Sequence, residues 1–215
     1  MDLVLFGIQG SGKGTQSKII AEKCDLAIFE AGGELRRLAS EDSDLGKKVK
    51  NIMEAGHLVP TEVVMEIIEN FFHHLPKGKN VLFDGIPRSK DQQEQFDALM
   101  KKEGREFKGL LIELSEEEAM KRLTTRRMCV NCKAVYPATY SKSACEACGG
   151  ELVTRQDDNP EAIRVRLATF FEKTMPVIES YQSQGLMLTV KGEQEIDKVT
   201  EDALGALKPF LPCLE

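Results

Sequence analysis

The run from Leu3 to Thr15, Leu-Val-Leu-Phe-Gly-Ile-Gln-Gly-Ser-Gly-Lys-Gly-Thr, constrains this chain more than any other: an apolar strand pattern, a glycine-rich turn and a helix start in immediate succession. It follows G-x-x-x-x-G-K-[ST] from Gly7 to Lys13, with Gly14 in the hydroxyl position and Thr15 one place later. A polyphosphate lying on such a loop needs bare backbone N–H groups, and a Cβ at Gly7, Gly10, Gly12 or Gly14 would hold it off. The helix expected from Lys13 to Cys24 points its positive dipole end at the same anion, and Lys13 adds a mobile charge for the outer phosphates.

Short apolar runs at Leu3 to Phe6, Ala27 to Phe29, Val81 to Phe83, Gly109 to Leu114 and Leu186 to Val190 suit buried parallel strands, with helical patterns between them. This alternation predicts an α/β fold, a P-loop doubly wound parallel five-stranded sheet. Helices are expected over Gly33 to Ser40, Ser43 to Ala55, Thr61 to Leu75, Lys90 to Glu103, Glu116 to Arg127, Pro160 to Gln184 and Glu195 to Leu207. Asn159, Pro160 and Glu161 form a start signal for the long helix, and Ile163, Leu167, Phe170, Phe171, Met175 and Ile178 make its core stripe. Pro176 is expected to bend it. Two segments break the alternation: Glu30 to Val59, with two helical patterns and no strand, and Met128 to Asp158, rich in cysteine and turn residues. Both are read as lobes inserted in a core made of 1–29, 60–127 and 159–215.

A net charge of −6 argues against a broad basic face for nucleic acid, so any anion site must be a local concentration of Lys and Arg. Met1-Asp2 passes straight into a strand without a leader pattern, and no apolar run approaches the length of a bilayer, so the expectation is a cytoplasmic protein with no membrane partner. Four of the six cysteines form the pairs Cys129-Val-Asn-Cys132 and Cys145-Glu-Ala-Cys148, twelve residues apart. Four thiolates make a closed tetrahedral site, which points to structural zinc, with iron in a rubredoxin-like site as the chemical alternative. A lobe this small needs the ion as its core. Cys24 and Cys213 are expected to be unpaired packing or surface thiols. His57, His73 and His74 show no metal spacing.

Val81-Leu-Phe-Asp84 ends an apolar strand on a carboxylate, a position from which magnesium or its waters can be oriented. Gly85-Ile-Pro-Arg88 brings a guanidinium to the same crevice. Arg122, Arg126, Arg127, Arg155, Arg164 and Arg166 cluster late in an acidic chain and flank the cysteine lobe, which makes them candidate phosphate ligands. Asp157 and Asp158 stand beside them, placed to pair with Arg126 or to hinge the lobe.

On these residues the chain resembles the adenylate kinases, within the nucleoside monophosphate kinases, over essentially its whole length. Gly7 to Thr15 looks like that family's loop, and Phe83-Asp84-Gly85-Ile86-Pro87-Arg88 with Gln92 is similar to its D-G-[FY]-P-R segment and adenine-reading glutamine. Arg126-Arg127, Arg155-Gln-Asp157-Asp158, Arg164-Val-Arg166 and a four-cysteine zinc lid also match. The resemblance implies that ATP and AMP give two ADP, reversibly, with Mg carried by ATP and zinc in the lid, in a monomer. It implies ATP contacts from Gly10, Ser11, Gly12, Lys13, Gly14, Thr15, Arg126, Val135, Tyr136 and the backbone of Gln194, with Arg122 stacking on adenine. The helical lobe would be the NMP-binding lobe, with Arg36 on the acceptor phosphate and Ala31, Leu35, Met53, His57, Leu58, Val59, Gly85 and Gln92 around the nucleoside. Arg88, Arg155 and Arg166 would complete that site, and Lys13, Asp84, Arg88, Arg126, Arg155 and Arg166 would serve the transfer itself.

One departure bears on the acceptor. Where the family reads [ST]-G-[DE], this chain has Ala31-Gly32-Gly33, with the acid displaced to Glu34, and this leaves CMP, UMP and GMP open beside AMP. Gln9 replaces a frequent proline. Two readings of another class compete: a regulatory nucleotide switch, which lacks an N-K-x-D segment and D-x-x-G spacing here, and a nucleic-acid-binding zinc ribbon, for which Tyr136 and Tyr140 lie near the knuckles but the chain is acidic.

Overall fold

The computed structural model describes residues 1–215 apart from Ala138, Gln156, Asp157 and Glu215. Five parallel strands, β1 (Asp2–Phe6), β2 (Ala27–Glu30), β3 (Val81–Asp84), β4 (Phe107–Glu113) and β8 (Met187–Lys191), form one sheet in the order β2-β3-β1-β4-β8. The strand that feeds the glycine loop is therefore central. Its side chains alternate between two cores: Val4 and Phe6 join Phe29, Phe83 and Leu111 on one face, Leu3 and Leu5 join Leu82, Leu110 and Ile112 on the other. Burial on both faces is why these strands read as unbroken apolar runs.

The second face is covered by α1 (Lys13–Cys24) and α9 (Ile196–Leu207), through Ile20, Ala21, Val199, Ala203 and Leu207. The first is covered by α4 (Thr61–His74), α5 (Lys90–Lys102), α7 (Pro160–Thr169) and α8 (Met175–Ser183), with Ile68, Phe96, Leu167, Ile178 and Tyr181 fully or almost fully buried. Asn159 caps α7 by accepting from the Ala162 N–H at 2.9 Å, as its sequence signal predicts. Where a bend is expected at Pro176, the helix changes its hydrogen-bond pattern. Residues Phe170–Thr174 make a π-helical turn, with the Met175 N–H donating to the Phe170 carbonyl just ahead of the proline.

Between β2 and α4 lie α2 (Ala31–Ala39) and α3 (Asp44–Glu54), whose Val49, Leu35, Leu38 and Met53 join the first core. Gly56, at φ 81°, lies so close to α7 that a Cβ there would stand 2.6 Å from the Ala162 carbonyl oxygen. α2 begins two residues earlier than expected, because β2 runs into it without a loop at Glu30. α6 (Glu116–Thr125) stops short of Arg127: Arg126 is extended, with ψ 152°, and the chain continues as β5 (Arg127–Cys129). With β6 (Val135–Tyr136) and β7 (Leu152–Val153), this strand forms a small antiparallel sheet, order β6-β5-β7. Its buried cluster consists of Cys129, Tyr136 and Cys145.

Cys24 and Cys213 are not unpaired thiols. The turn Pro212–Leu214 lies against the end of α1, and the two cysteines form a disulfide with a Cα–Cα distance of 5.2 Å. Their separation of 189 residues explains why no local pattern revealed it.

Candidate active site

The glycine loop crosses the C-terminal edge of the sheet, where open α/β folds collect ligands. At Gly7 a Cβ would lie 2.7 Å from the Ile112 carbonyl oxygen, so the loop can leave β1 only with glycine there. At Gly12 no atom lies within 4 Å of a would-be Cβ, yet φ is 95°: a left-handed backbone, not crowding, requires the glycine, and the adjacent space is left open. Ser11 is buried, and its hydroxyl oxygen has no hydrogen-bond partner among the described residues. An orphaned polar atom beside open space at a helix N-terminus fits an anion held on the loop.

Lys13 folds back over its own loop, donating to the carbonyls of Gly7 at 2.6 Å and Ile8 at 3.1 Å. Burial lowers its pKa to about 8, Asp84 opposes that fall, and the charges of Arg88, Arg126 and Arg166 add to it. Asp84, at the end of β3, is buried, and burial raises its carboxyl pKa against the pull of Lys13. Its Oδ2 lies 4.0 Å from a would-be Cβ at Gly14, so it faces the first turn of α1, where a magnesium ion carried by a nucleotide would be held.

Arg88 lies across Gly85, whose φ is 84°, and donates from Nε to the Gly85 carbonyl at 2.7 Å. Its N–H donates to the carboxamide oxygen of buried Gln92 at 2.8 Å, and Thr174 donates to its carbonyl at 2.9 Å. The Ile86–Pro87 peptide is cis. Burial lowers the Arg88 pKa, and Arg166 and Arg36 add to that while Asp84 opposes it. Asp158, with its side chain 0% exposed, accepts from Arg126 Nε at 2.6 Å and Nη2 at 2.7 Å, and from Arg166 Nη1 at 2.9 Å. One carboxylate thus orients two guanidiniums. Asp157, the other half of that expectation, lies outside the described residues.

Arg122 ties the glycine loop to the turn after β8, donating to the carbonyls of Gly10 at 3.5 Å and Gly192 at 3.1 Å. Gln194 sits on that turn, its side-chain amide donating to Lys191 and Asp202. The four sulfurs of Cys129, Cys132, Cys145 and Cys148 lie within 4.8 Å of one another, and this all-thiol donor set is compatible with zinc. A Cβ at Gly150 would stand 2.8 Å from the Cys129 Sγ, so bare backbone lets the knuckles close.

The adenylate kinase family model matches residues 5–186. The chain belongs to the adenylate kinase family. It is 35% identical to an adenylate kinase of Staphylococcus epidermidis over 212 residues, 96% of this chain and 99% of that protein. To an adenylate kinase of Streptomyces coelicolor it is 38% identical over 214 residues, covering 97% and 99%. An archaeal relative, an adenylate kinase of Archaeoglobus fulgidus, is 36% identical over 207 residues, 94% and 95% of the two chains.

For this adenylate kinase family member, Asp84, Arg88, Arg126 and Arg166 are all brought within electrostatic reach of Lys13, with Arg36 acting on Arg88 and Arg155 on Arg126. Val135 and Tyr136 diverge. Val135 is 50% exposed, but Tyr136 is buried in the cysteine lobe, its ring 4.2 Å from that of Tyr140 and its hydroxyl 3.1 Å from the Cys145 Sγ. That hydroxyl pulls the Cys145 thiol down to about 6. In the helical lobe Val59 is buried, Leu35 and Met53 are partly buried against the core, Leu58 is half-buried and His57 is exposed. The sequence reading missed Glu30. It pairs with Arg36 at 2.7 Å, whereas Glu34 turns away to Arg37 at 3.1 Å. Its signal was an acid one residue ahead of two adjacent glycines, Glu30-Ala31-Gly32-Gly33.

Proposed function

We infer that the chain transfers the γ-phosphate of ATP to AMP, reversibly, giving two ADP. The observation that carries this is the convergence at one sheet edge of a glycine loop with Lys13, the guanidiniums of Arg88, Arg126 and Arg166, and the buried carboxylate of Asp84. An acceptor phosphate is already ionised at neutral pH, so the transfer needs no general base, and what remains is alignment and charge.

Residues 10–15 would cradle the β- and γ-phosphates, with Lys13 following the γ-group as its bond to the β-oxygen breaks and the bond to the AMP oxygen forms. Arg36 and Arg88 would hold the acceptor phosphate, and Arg126, Arg155 and Arg166 would neutralise the charge passing between the two. Asp84 would hold the magnesium carried by ATP, which would screen the charge of the polyphosphate. Arg122 and Gln194, joined through the turn at Gly192, would flank the ATP adenine; Val135 would close over it from the lid. Ala31, Leu35, Met53, Leu58, Val59, Gly85 and Gln92 would line the acceptor nucleoside, with His57 at the rim. The buried position of Tyr136 supports a role in the lid's metal core, with zinc on the four cysteines.

Residues 30–59 and 128–158 would move as the acceptor lobe and the lid, shutting water away from the γ-phosphate. We place the enzyme in the cytoplasm as a monomer, without nucleic acid or membrane partners; among the described residues no helix is long and apolar enough to cross a membrane. A coupled assay for ADP with AMP, CMP, UMP and GMP tests the reading. AMP should be preferred at least tenfold in kcat/KM, and comparable rates with a pyrimidine acceptor would overturn AMP as the substrate.

A further inference from the structure

Two adjacent glycines open α2 and form the floor under an ion pair. A Cβ at Gly33 would stand 3.2 Å from Glu30 Oε2, and one at Gly32 would stand 3.1 Å from Arg36 Nη1. The carboxylate of Glu30 therefore fills the space that a side chain at position 33 would take, and the Arg36 guanidinium lies beside it over Gly32. The two are joined by Arg36 Nη2 donating to Glu30 Oε1 at 2.7 Å. Glu30 ends β2 in register with Asp84 on β3, so the two carboxylates stand at neighbouring strand ends on the edge that carries the glycine loop. Charge on Glu30 is felt at both Asp84 and Arg88. The pair is only half-buried, with side-chain exposures of 34% for Arg36 and 51% for Glu30, so an incoming anion can reach and break it.

We propose that Glu30 is a positioning residue of the acceptor site: its carboxylate occupies the Arg36 guanidinium in the unloaded protein and must be displaced by the phosphate of the incoming nucleoside monophosphate. This rests on the reading of Arg36 as an acceptor-phosphate ligand. The contact has two consequences of the same sign. The pair must be broken on binding, and a carboxylate then remains near a phosphate that carries close to two negative charges. An exposed pair of this kind is worth up to about fivefold in an equilibrium, and relief of the like charge adds to it. The acid beside the glycines thus tunes affinity for the acceptor while ATP, bound through the loop after β1, is untouched.

The test is calorimetric titration of the full chain with AMP alone and with a non-hydrolysable ATP analogue alone, for wild type, Glu30→Gln, Glu30→Ser, Arg36→Ala and the Glu30→Gln/Arg36→Ala double variant. Thermal melting checks that each is folded. Either Glu30 variant should tighten AMP about three- to tenfold and lower the AMP KM in parallel, with the ATP analogue within about twofold of wild type. In the Arg36→Ala background the Glu30 change should tighten AMP less than in the wild-type background, since only the relief of like charge remains. If Arg36→Ala weakens AMP but neither Glu30 variant tightens it, or if both nucleotides tighten together, the role of Glu30 is overturned. If Arg36→Ala leaves AMP binding as it was, the acceptor-site reading falls, and the proposal with it.

Discussion

Replacing Asp158 with asparagine tests the link between the arginine cluster and the nucleotides. The substitution keeps the volume but removes the negative charge shared by Arg126 and Arg166, and it turns one acceptor oxygen into a donor facing guanidinium N–H groups. The carboxylate is 0% exposed and the two arginine side chains are 14% and 13% exposed, so solvent can do little to replace it. Removing one member of a buried pair destabilises by about 3–5 kcal/mol, and the residual arginine exposure favours the lower end. At about 2–4 °C per kcal/mol for a chain of this size, the unloaded variant should melt about 6–12 °C below wild type. If Arg126 and Arg166 serve phosphates, bound nucleotide supplies the missing negative charge. Saturation with AMP and a non-hydrolysable ATP analogue should then shrink the deficit by at least half. The assay is thermal melting with and without both nucleotides. An equal deficit in the two conditions would refute the reasoning, because it would make Asp158 a structural anchor indifferent to the ligand.

Three further outcomes are expected. The Lys13 pKa of about 8 in the unloaded protein means that the ammonium form which binds phosphate is fully present below that pH and lost above it, so the ATP Kd should stay flat from pH 6.5 to 7.5 and rise beyond about 8; Lys13→Met should weaken binding and flatten the profile. Chelation or Cys145→Ser should make 127–153 the first segment cut in limited proteolysis, with the main melting transition moved less, since the buried cluster of that lobe is only Cys129, Tyr136 and Cys145; uncut lobe after metal removal, followed by mass spectrometry, would count against the metal as its core. Cys213→Ser, which opens the disulfide without a reductant touching the four-cysteine cluster, should lower the melting temperature of oxidised protein by about 4 °C or more, because closing a loop of 189 residues is worth about 2–4 kcal/mol in practice.

What the sequence made legible was local. The strand, glycine loop and helix from Asp2 to Cys24 are dictated by residues in immediate succession, and the α1 limits match the expectation at both ends. Paired knuckles declare themselves by spacing, and the four sulfurs do converge. What escaped depended on contacts between distant segments or on which way a side chain turns. Cys24 meets Cys213 only because the C-terminal turn returns to the end of α1. The pairing of Asp158 with Arg126, 32 positions away, was expected, but not its second grip on Arg166, 8 positions along. Tyr136 and Val135 are neighbours on a strand, and pleating sends one into the cysteine core and the other outward, a choice fixed by the pairing of β6 with β5. Glu30 lies close in sequence to Gly33 and Arg36, but its role depends on β2 passing into α2 without a turn.

The strand order has a mechanical corollary. The α2–α3 excursion departs from β2 and the cysteine sheet departs from the connection between β4 and β8, on opposite flanks of β1. On the proposed function, in which both lobes close over the glycine loop, arms rooted on either side of β1 approach it from opposite sides. Timing can therefore be tuned separately in either arm, by mutation or by cargo, while the place where the two loads meet stays set by the sheet.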